Sequence, residues 1–187
     1  MSRRFVLVDR DGTITEELSP TYVLEPDQLR LIPGAARALR ELRELGLGIV
    51  VVTNQSPVGR GWITTEQLDE IHGRLTRLLE AEGAAVDGYY VCPHAPDAGC
   101  DCRKPGVALA LRAAVEHGFD PAEAFVVGDH RGDVELGRRI GARTLQVRTG
   151  HGAEEIAKAE PLADHVVEDL AEAARIIRDE VLAGAGR

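Results

Sequence analysis

Residues 5–13 read Phe5-Val6-Leu7-Val8-Asp9-Arg10-Asp11-Gly12-Thr13. Four apolar residues in a row make a short run with the character of a buried strand. Two carboxylates follow at once, at positions i and i+2, which project to the same side of an extended chain. Gly12 lets the backbone turn sharply after them. Strands buried on both faces belong to parallel sheets covered by helices, and such sheets bind ligands beyond the carboxyl ends of their strands. These nine residues therefore predict an architecture and also the edge of it where chemistry should be found. On their own they leave open a plain polar Asp-Gly turn.

The rest of the chain keeps the same alternation. Pro33-Gly34 opens a helix over Ala35–Leu45, with Ala36, Leu39, Leu42 and Leu45 on one face and Gly46 as its stop. Gly48–Thr53 is β-branched and apolar, a second buried strand. Thr64-Thr65-Glu66-Gln67 offers a helix cap, and Leu68, Ile71, Leu75, Leu78 and Leu79 carry that helix to about Glu82. Further strands are expected at Asp87–Val91, Ala124–Gly128, Arg143–Val147 and His165–Glu168. Further helices are expected at Pro105–His117, Asp133–Ile140 and Leu170–Leu182, with Gly184–Arg187 a frayed tail. This pattern predicts an α/β fold with a Rossmann-like parallel sheet and helices on both faces. No repeat or linker interrupts it, so residues 1–187 are expected to form a single domain.

The chain carries a formal charge of −9. Such a protein repels phosphate backbones at long range, and no basic-aromatic stripe is present for stacking on single strands. Nucleic acid is not expected as a partner, although a small anion remains possible where the site itself is basic. No apolar run approaches the roughly 18 residues of a membrane span, and Met1-Ser2-Arg3-Arg4 leads into the first strand without an apolar leader segment. The expectation is a cytoplasmic protein with no membrane partner.

Four more motifs fall at strand ends. In Thr53-Asn54-Gln55-Ser56 a hydroxyl precedes exposed backbone N–H groups, an arrangement that suits a phosphate oxygen and equally a simple Ser/Thr turn. Arg103-Lys104-Pro105 places Lys104 at the mouth of the expected helix if Pro105 takes its first position; otherwise the pair is a solvated basic patch. Gly128-Asp129-His130-Arg131-Gly132-Asp133 offers Asp129 to a hard cation beside Asp9, and Asp133 as a helix cap. All three cysteines lie in Cys92-Pro93-His94…Cys100-Asp101-Cys102. An odd number makes a poor disulfide framework. Three thiolates and an imidazole instead make a closed tetrahedral zinc set, with no open position for catalysis. The zinc loop, 92–102, runs straight into Arg103-Lys104.

The order Asp-x-Asp, Thr, Lys, Asp at successive strand ends resembles the haloacid dehalogenase superfamily of phosphatases. The resemblance implies that fold and a set of roles. Asp9 would be the nucleophile, and Asp11 the general acid and base. Thr53 and Lys104 would hold the phosphate. Magnesium would sit between Asp9, Asp129 and the backbone carbonyl of Asp11, with Asp133 orienting the site. Neither segment where relatives insert a cap is long enough for one, so a capless, open site is expected, walled by the zinc loop and Leu18–Pro26.

The zinc loop, together with Asn54-Gln55-Ser56-Pro57-Val58-Gly59-Arg60-Gly61 and Arg148-Thr149-Gly150, narrows the resemblance to the heptose-bisphosphate phosphatase family and its histidinol-phosphate sister. What it implies is a small phosphorylated sugar as substrate, hydrolysed at C7 and contacted by Asn54, Gln55, Ser56, Arg60, Arg103 and His130, in a monomer. The chain departs from that family in having His130 where Lys is usual, in Gly106 following Pro105 at once, and in the length of the segment between Thr13 and Tyr22. Histidinol phosphate is the nearest rival substrate, and a polynucleotide 3′-phosphate is disfavoured by the net charge. A catalytically silent zinc-stabilised binding module is the rival of another class.

Overall fold

The structure, a computed structural model, describes residues 3–159 and 162–185. Six strands form one parallel sheet: β1 (Phe5–Val8), β2 (Gly48–Asn54), β3 (Gly88–Cys92), β4 (Phe125–Gly128), β5 (Arg143–Val147) and β6 (His165–Val167). Their order is β3-β2-β1-β4-β5-β6. The chain builds outward from β1 to one edge, then returns and builds to the other. This reversal beside β1 opens a crevice at the carboxyl ends of β1, β2 and β4.

The helices are α1 (Ala35–Glu44), α2 (Ser56–Gly59), α3 (Thr65–Ala81), α4 (Ala108–His117), α5 (Arg131–Ile140), α6 (Gly152–Ala159) and α7 (Leu170–Ala185). The two-residue period of β1 sorts its side chains between two cores. Val6 and Val8 pack with Leu39 and Leu42 of α1, Ile71 and Leu75 of α3, and Ile177 of α7. Phe5 and Leu7 face the other way, toward Leu109 and Ala113 of α4 and Leu136 of α5. Helices thus cover both faces, which is why β1 can be apolar without interruption.

Most expected elements appear within a few residues of their predicted limits. Thr64 caps α3 through a reciprocal box with Gln67: the Gln67 N–H donates to Thr64 Oγ1 at 3.2 Å, and the Thr64 N–H donates to Gln67 Oε1 at 2.8 Å. Two helix starts differ. The helix predicted from Pro105 begins at Ala108 instead, because residues 103–106 form a turn. The Gly106 N–H donates to the Arg103 carbonyl at 2.6 Å, and Arg139 donates to the Pro105 carbonyl at 2.9 Å. Lys104 therefore lies in a turn rather than at a helix mouth. α5 starts earlier than predicted, and its cap is His130 rather than Asp133. His130 Nδ1 accepts from the Gly132 N–H at 3.1 Å, while Asp133 reaches back to the His130 N–H at 3.2 Å. α7 carries on through Gly184 and Ala185, so the expected frayed tail is not seen there; its last two residues lie outside the described residues. The short helices α2 and α6 lack a long periodic signature and were not expected. The segments at 13–35 and 56–103 hold no inserted cap domain.

Candidate active site

The crevice is a cleft of about 380 Å³, lined by Asp9, Asp11, Thr53, Asn54, Arg103, Lys104, Asp129, His130 and Asp133, with Glu17, Tyr22, Val23, His151 and Glu155 at its margins. Asp9 leaves β1 with its N–H donating to the Val127 carbonyl of β4 at 3.0 Å. Its Oδ1 accepts from the Arg10 N–H at 2.7 Å and lies 2.8 Å from Lys104 Nζ. Lys104 Nζ also lies 2.6 Å from Asp133 Oδ1 and donates to the Val52 carbonyl at 2.8 Å. The side chain of Lys104 is only 4% exposed. Burial alone would push its pKa down, but Asp133 and Asp9 reverse that and hold the amine charged, above the usual lysine range. Asn54 fixes the backbone that delivers it: Oδ1 accepts from the Lys104 N–H at 3.0 Å.

Asp129 follows β4. Its carboxylate accepts from the His151 N–H at 2.8 Å, and Gln146 donates to its backbone carbonyl. The loop after β5 closes over it. Thr149 Oγ1 donates to the Gly12 carbonyl at 2.6 Å. Gly12 and Gly150, both at positive φ, press against the carboxylate. A Cβ on either would stand 2.1 Å or 2.3 Å from Asp129 Oδ2.

Carboxylate oxygens of Asp9, Asp129 and Asp133 all lie within 4.8 Å of one another. Burial, with Asp9 and Asp133 alongside, raises Asp129 to about 9; burial raises Asp9 to about 6 despite Lys104. So much confined negative charge lacks enough cation in the protein itself. Hard oxygen donors in this density suit magnesium.

Asp11 differs from its neighbour. Burial works against its charge, but the Arg10 guanidinium and hydrogen bonds from Arg10, Gln55 and Thr15 outweigh that and hold it below the usual carboxylate range. Its side chain is held by these partners and still lines the cleft, at 22% exposure.

Cys92, His94, Cys100 and Cys102 converge as the spacing predicted, with one ligand atom from each within 4.8 Å of the others. His94 Nδ1 lies 3.1 Å from Cys102 Sγ and 3.7 Å from Cys92 Sγ, and Cys92 Sγ lies 3.6 Å from Cys100 Sγ and 3.3 Å from Cys102 Sγ. A zinc tetrahedron with bonds near 2.3 Å has S···S edges of roughly 3.8 Å, so the four can hold zinc with little movement. The loop is tied to β2 and α2 through the Gln55 N–H on the Cys92 carbonyl and the Gly59 N–H on the Pro93 carbonyl, both at 2.7 Å.

Three residues expected to touch substrate lie elsewhere. Gln55 is buried, bridging Asp11 and Thr53 through Nε2 at 2.8 Å to each. Ser56 is buried at the start of α2. Arg60 lies over the Trp62 ring at 5.1 Å, in a separate groove with Ala95–Asp97. Gln55 caps the start of α2 and Arg60 its end, so the turn into this short helix carries these side chains away from the cleft. Tyr22 comes from the Leu18–Pro26 segment expected to wall the site, and Glu17 precedes it; conversely, Arg10, His72, His151 and Glu155 were not anticipated as site residues. Only Arg10 had a local signal, its place between the two aspartates.

A HAD-hydrolase-like family model matches residues 101–173. The chain is 37% identical over 173 residues to the D-glycero-beta-D-manno-heptose-1,7-bisphosphate 7-phosphatase of Pseudomonas putida, spanning 92% of this chain and 98% of that protein. The Yersinia pestis enzyme of the same name is 37% identical over 182 residues, spanning 92% and 94%. Among solved structures, the D,D-heptose 1,7-bisphosphate phosphatase of B. bronchiseptica, complexed with magnesium and phosphate, matches with a TM-score of 0.88 at 34% identity, over 95% of this chain and 99% of that one.

Proposed function

The chain belongs to the heptose 1,7-bisphosphate 7-phosphatase family of HAD-like hydrolases, and from that premise we propose that it removes the C7 phosphate of D-glycero-D-manno-heptose 1,7-bisphosphate. The observation that carries this reading is the buried Lys104 ammonium, 2.8 Å from Asp9 Oδ1 at the switch point of the sheet. A carboxylate cannot approach a phosphoester dianion unless cations offset the repulsion. Lys104 supplies one such charge. Asp9, Asp129 and the Asp11 carbonyl would hold magnesium, which when bound would supply further positive charge against that repulsion.

Asp9 attacks phosphorus in line with the C7 oxygen, and the phosphorus–oxygen bond to the sugar breaks as the aspartyl-phosphate forms. Asp11 gives its proton to the departing C7 oxygen. In the second half it takes a proton from the water that attacks phosphorus, releasing inorganic phosphate and restoring Asp9. In the free protein Arg10, Gln55 and Thr15 favour the charged form of Asp11, so it must take up a proton from solvent before the first half. Thr53 Oγ1 and the Lys104 ammonium hold the phosphoryl group, and Asp133 keeps Lys104 in place.

Arg103 lines the cleft next to Lys104, which suits a second phosphate held away from Asp9. His130 also lines the cleft. The four-ligand loop holds one structural zinc and thereby fixes the path of the chain into Lys104. The protein acts as a monomeric, single-domain cytoplasmic enzyme on a small phosphorylated sugar.

The deciding measurement is kcat/KM for the heptose bisphosphate against histidinol phosphate. A ratio favouring the bisphosphate is expected; the reverse overturns the substrate. Arg103→Ala should weaken turnover of the bisphosphate more than that of a simple monophosphate. Equal losses would remove Arg103 from recognition of the second phosphate.

A further inference from the structure

The arginine between the two catalytic carboxylates takes no part in the reaction as derived above, yet it is among the most deeply buried side chains, at 1% exposure. Every arm of its guanidinium is engaged. Nε donates to Asp11 Oδ1 at 3.0 Å, and Nη2 donates to Asp11 Oδ2 at 2.8 Å. Nη2 also donates to Gln55 Oε1 at 2.9 Å, and Nη1 lies 3.2 Å from His72 Nε2. A guanidinium can only donate, so His72 Nε2 must accept and the ring proton must sit on Nδ1. Burial and the Arg10 charge hold His72 down to about 3, which keeps that acceptor free. The ring itself is stacked on Tyr89, with centroids 4.6 Å apart and planes 9° from parallel. Tyr89 is tied by its hydroxyl to Thr76 Oγ1 at 2.9 Å, one turn further along α3.

A buried arginine is costly unless each donor is met. Here the fork geometry matches both oxygens of one carboxylate, which fixes the plane of that carboxylate as well as its position. Left unclamped, the Asp11 side chain would turn among its rotamers, and proton transfer needs heavy atoms within about 2.6–3.2 Å. We propose that Arg10 is a positioning residue for Asp11, held in turn by neutral His72 on its Tyr89 platform. α3, which contributes no side chain to the cleft, thereby sets where the proton donor stands. This rests on the reading of Asp11 as the acid for the leaving oxygen.

The test uses the leaving group. A sugar alkoxide cannot depart without a proton, whereas p-nitrophenolate leaves as a stable anion. A misplaced acid should therefore slow the sugar phosphate selectively. The readout is the ratio of kcat/KM for the sugar phosphate to that for p-nitrophenyl phosphate. It does not depend on how much of a variant is folded. His72→Phe keeps the stack on Tyr89 and removes the acceptor; Arg10→Lys keeps the charge and loses the fork. In both, the ratio should fall by about tenfold or more, a fraction of what general acid catalysis contributes, and His72→Gln should recover part of it. Asp11→Asn is the reference and should show the same selective loss. If Asp11→Asn loses equally on both substrates, the acid role of Asp11 is wrong. If it is selective while His72→Phe and Arg10→Lys leave the ratio unchanged, Arg10 does not position it.

Discussion

Lys104 keeps its charge at 4% exposure because Asp9 and Asp133 lie 2.8 and 2.6 Å from its amine. Replacing Asp9 with Asn removes the nucleophile while keeping its size, so turnover of every phosphoester should vanish while the thermal melt stays close to that of the parent. Residual turnover near the parent rate would rule out a covalent intermediate. Gly150→Ala tests the cradle of Asp129, where the added Cβ would stand 2.3 Å from Oδ2. It should weaken magnesium binding measured by calorimetry, and equal affinity would mean that the loop yields. The raised carboxylates add a pH dependence. Asp9 at about 6 and Asp129 at about 9 both lie above the ordinary value of 3.8, so the metal-free folded chain keeps protons that the unfolded chain has released. In EDTA, stability should therefore fall as pH rises through that range. Magnesium must displace those protons, so its affinity should rise from about pH 5 to about pH 9; a flat profile would contradict the shifts. Asp9 and Asp129 were legible because each directly follows a strand in a short motif, and Lys104 because its motif directly follows the Cys/His loop. His72 was not, since a histidine within an amphipathic helix carries no mark of the arginine 62 residues away that it holds.

The Cys/His loop ties the end of β3 to Lys104. Protein purified without chelators should carry about one zinc per chain. Cys100→Ser should lower both the melting temperature and kcat, since the same loop delivers Lys104; loss of stability with full kcat would separate the two. At α3 the reciprocal cap predicts that Thr64→Ala costs about 1 kcal/mol in denaturant unfolding. Element types were well marked by apolar period, as in Gly48–Asn54 and Thr65–Ala81. Boundaries were less so. Pro105 reads as a good first helical residue, yet hydrogen bonds from Arg139 and Gly106 hold it in a turn, and no local pattern reports contacts of that range. His130 was read as a substitute for a basic contact, and it proved to be the cap of α5.

The sheet joins two half-sheets across β1, which supplies Asp9, and the site draws on both. β2 and β3 lead to Thr53 and to the turn bearing Lys104, while β4 and β5 lead to Asp129 and to the loop that encloses it. β1, hydrogen-bonded on both sides and covered on both faces, should hold the slowest-exchanging amides of the molecule. On zinc chelation the exchange of residues 92–106 should quicken while that of β1 stays slow; simultaneous loss of protection would mean that the zinc holds the whole fold. This architecture was readable from the first nine quoted residues and the alternation that follows them. The pairing of distant loops was not, because it depends on which strands become neighbours. Thr149 and Gly12 illustrate the point, joined across 137 positions of the chain. Synthesis runs from the N-terminus, so the nucleophile leaves the ribosome long before the residues that enclose its metal partner. A nascent chain holding everything up to β4 has no complete site, and so cannot consume phosphoesters before the stretch from Asp129 to His151 has emerged.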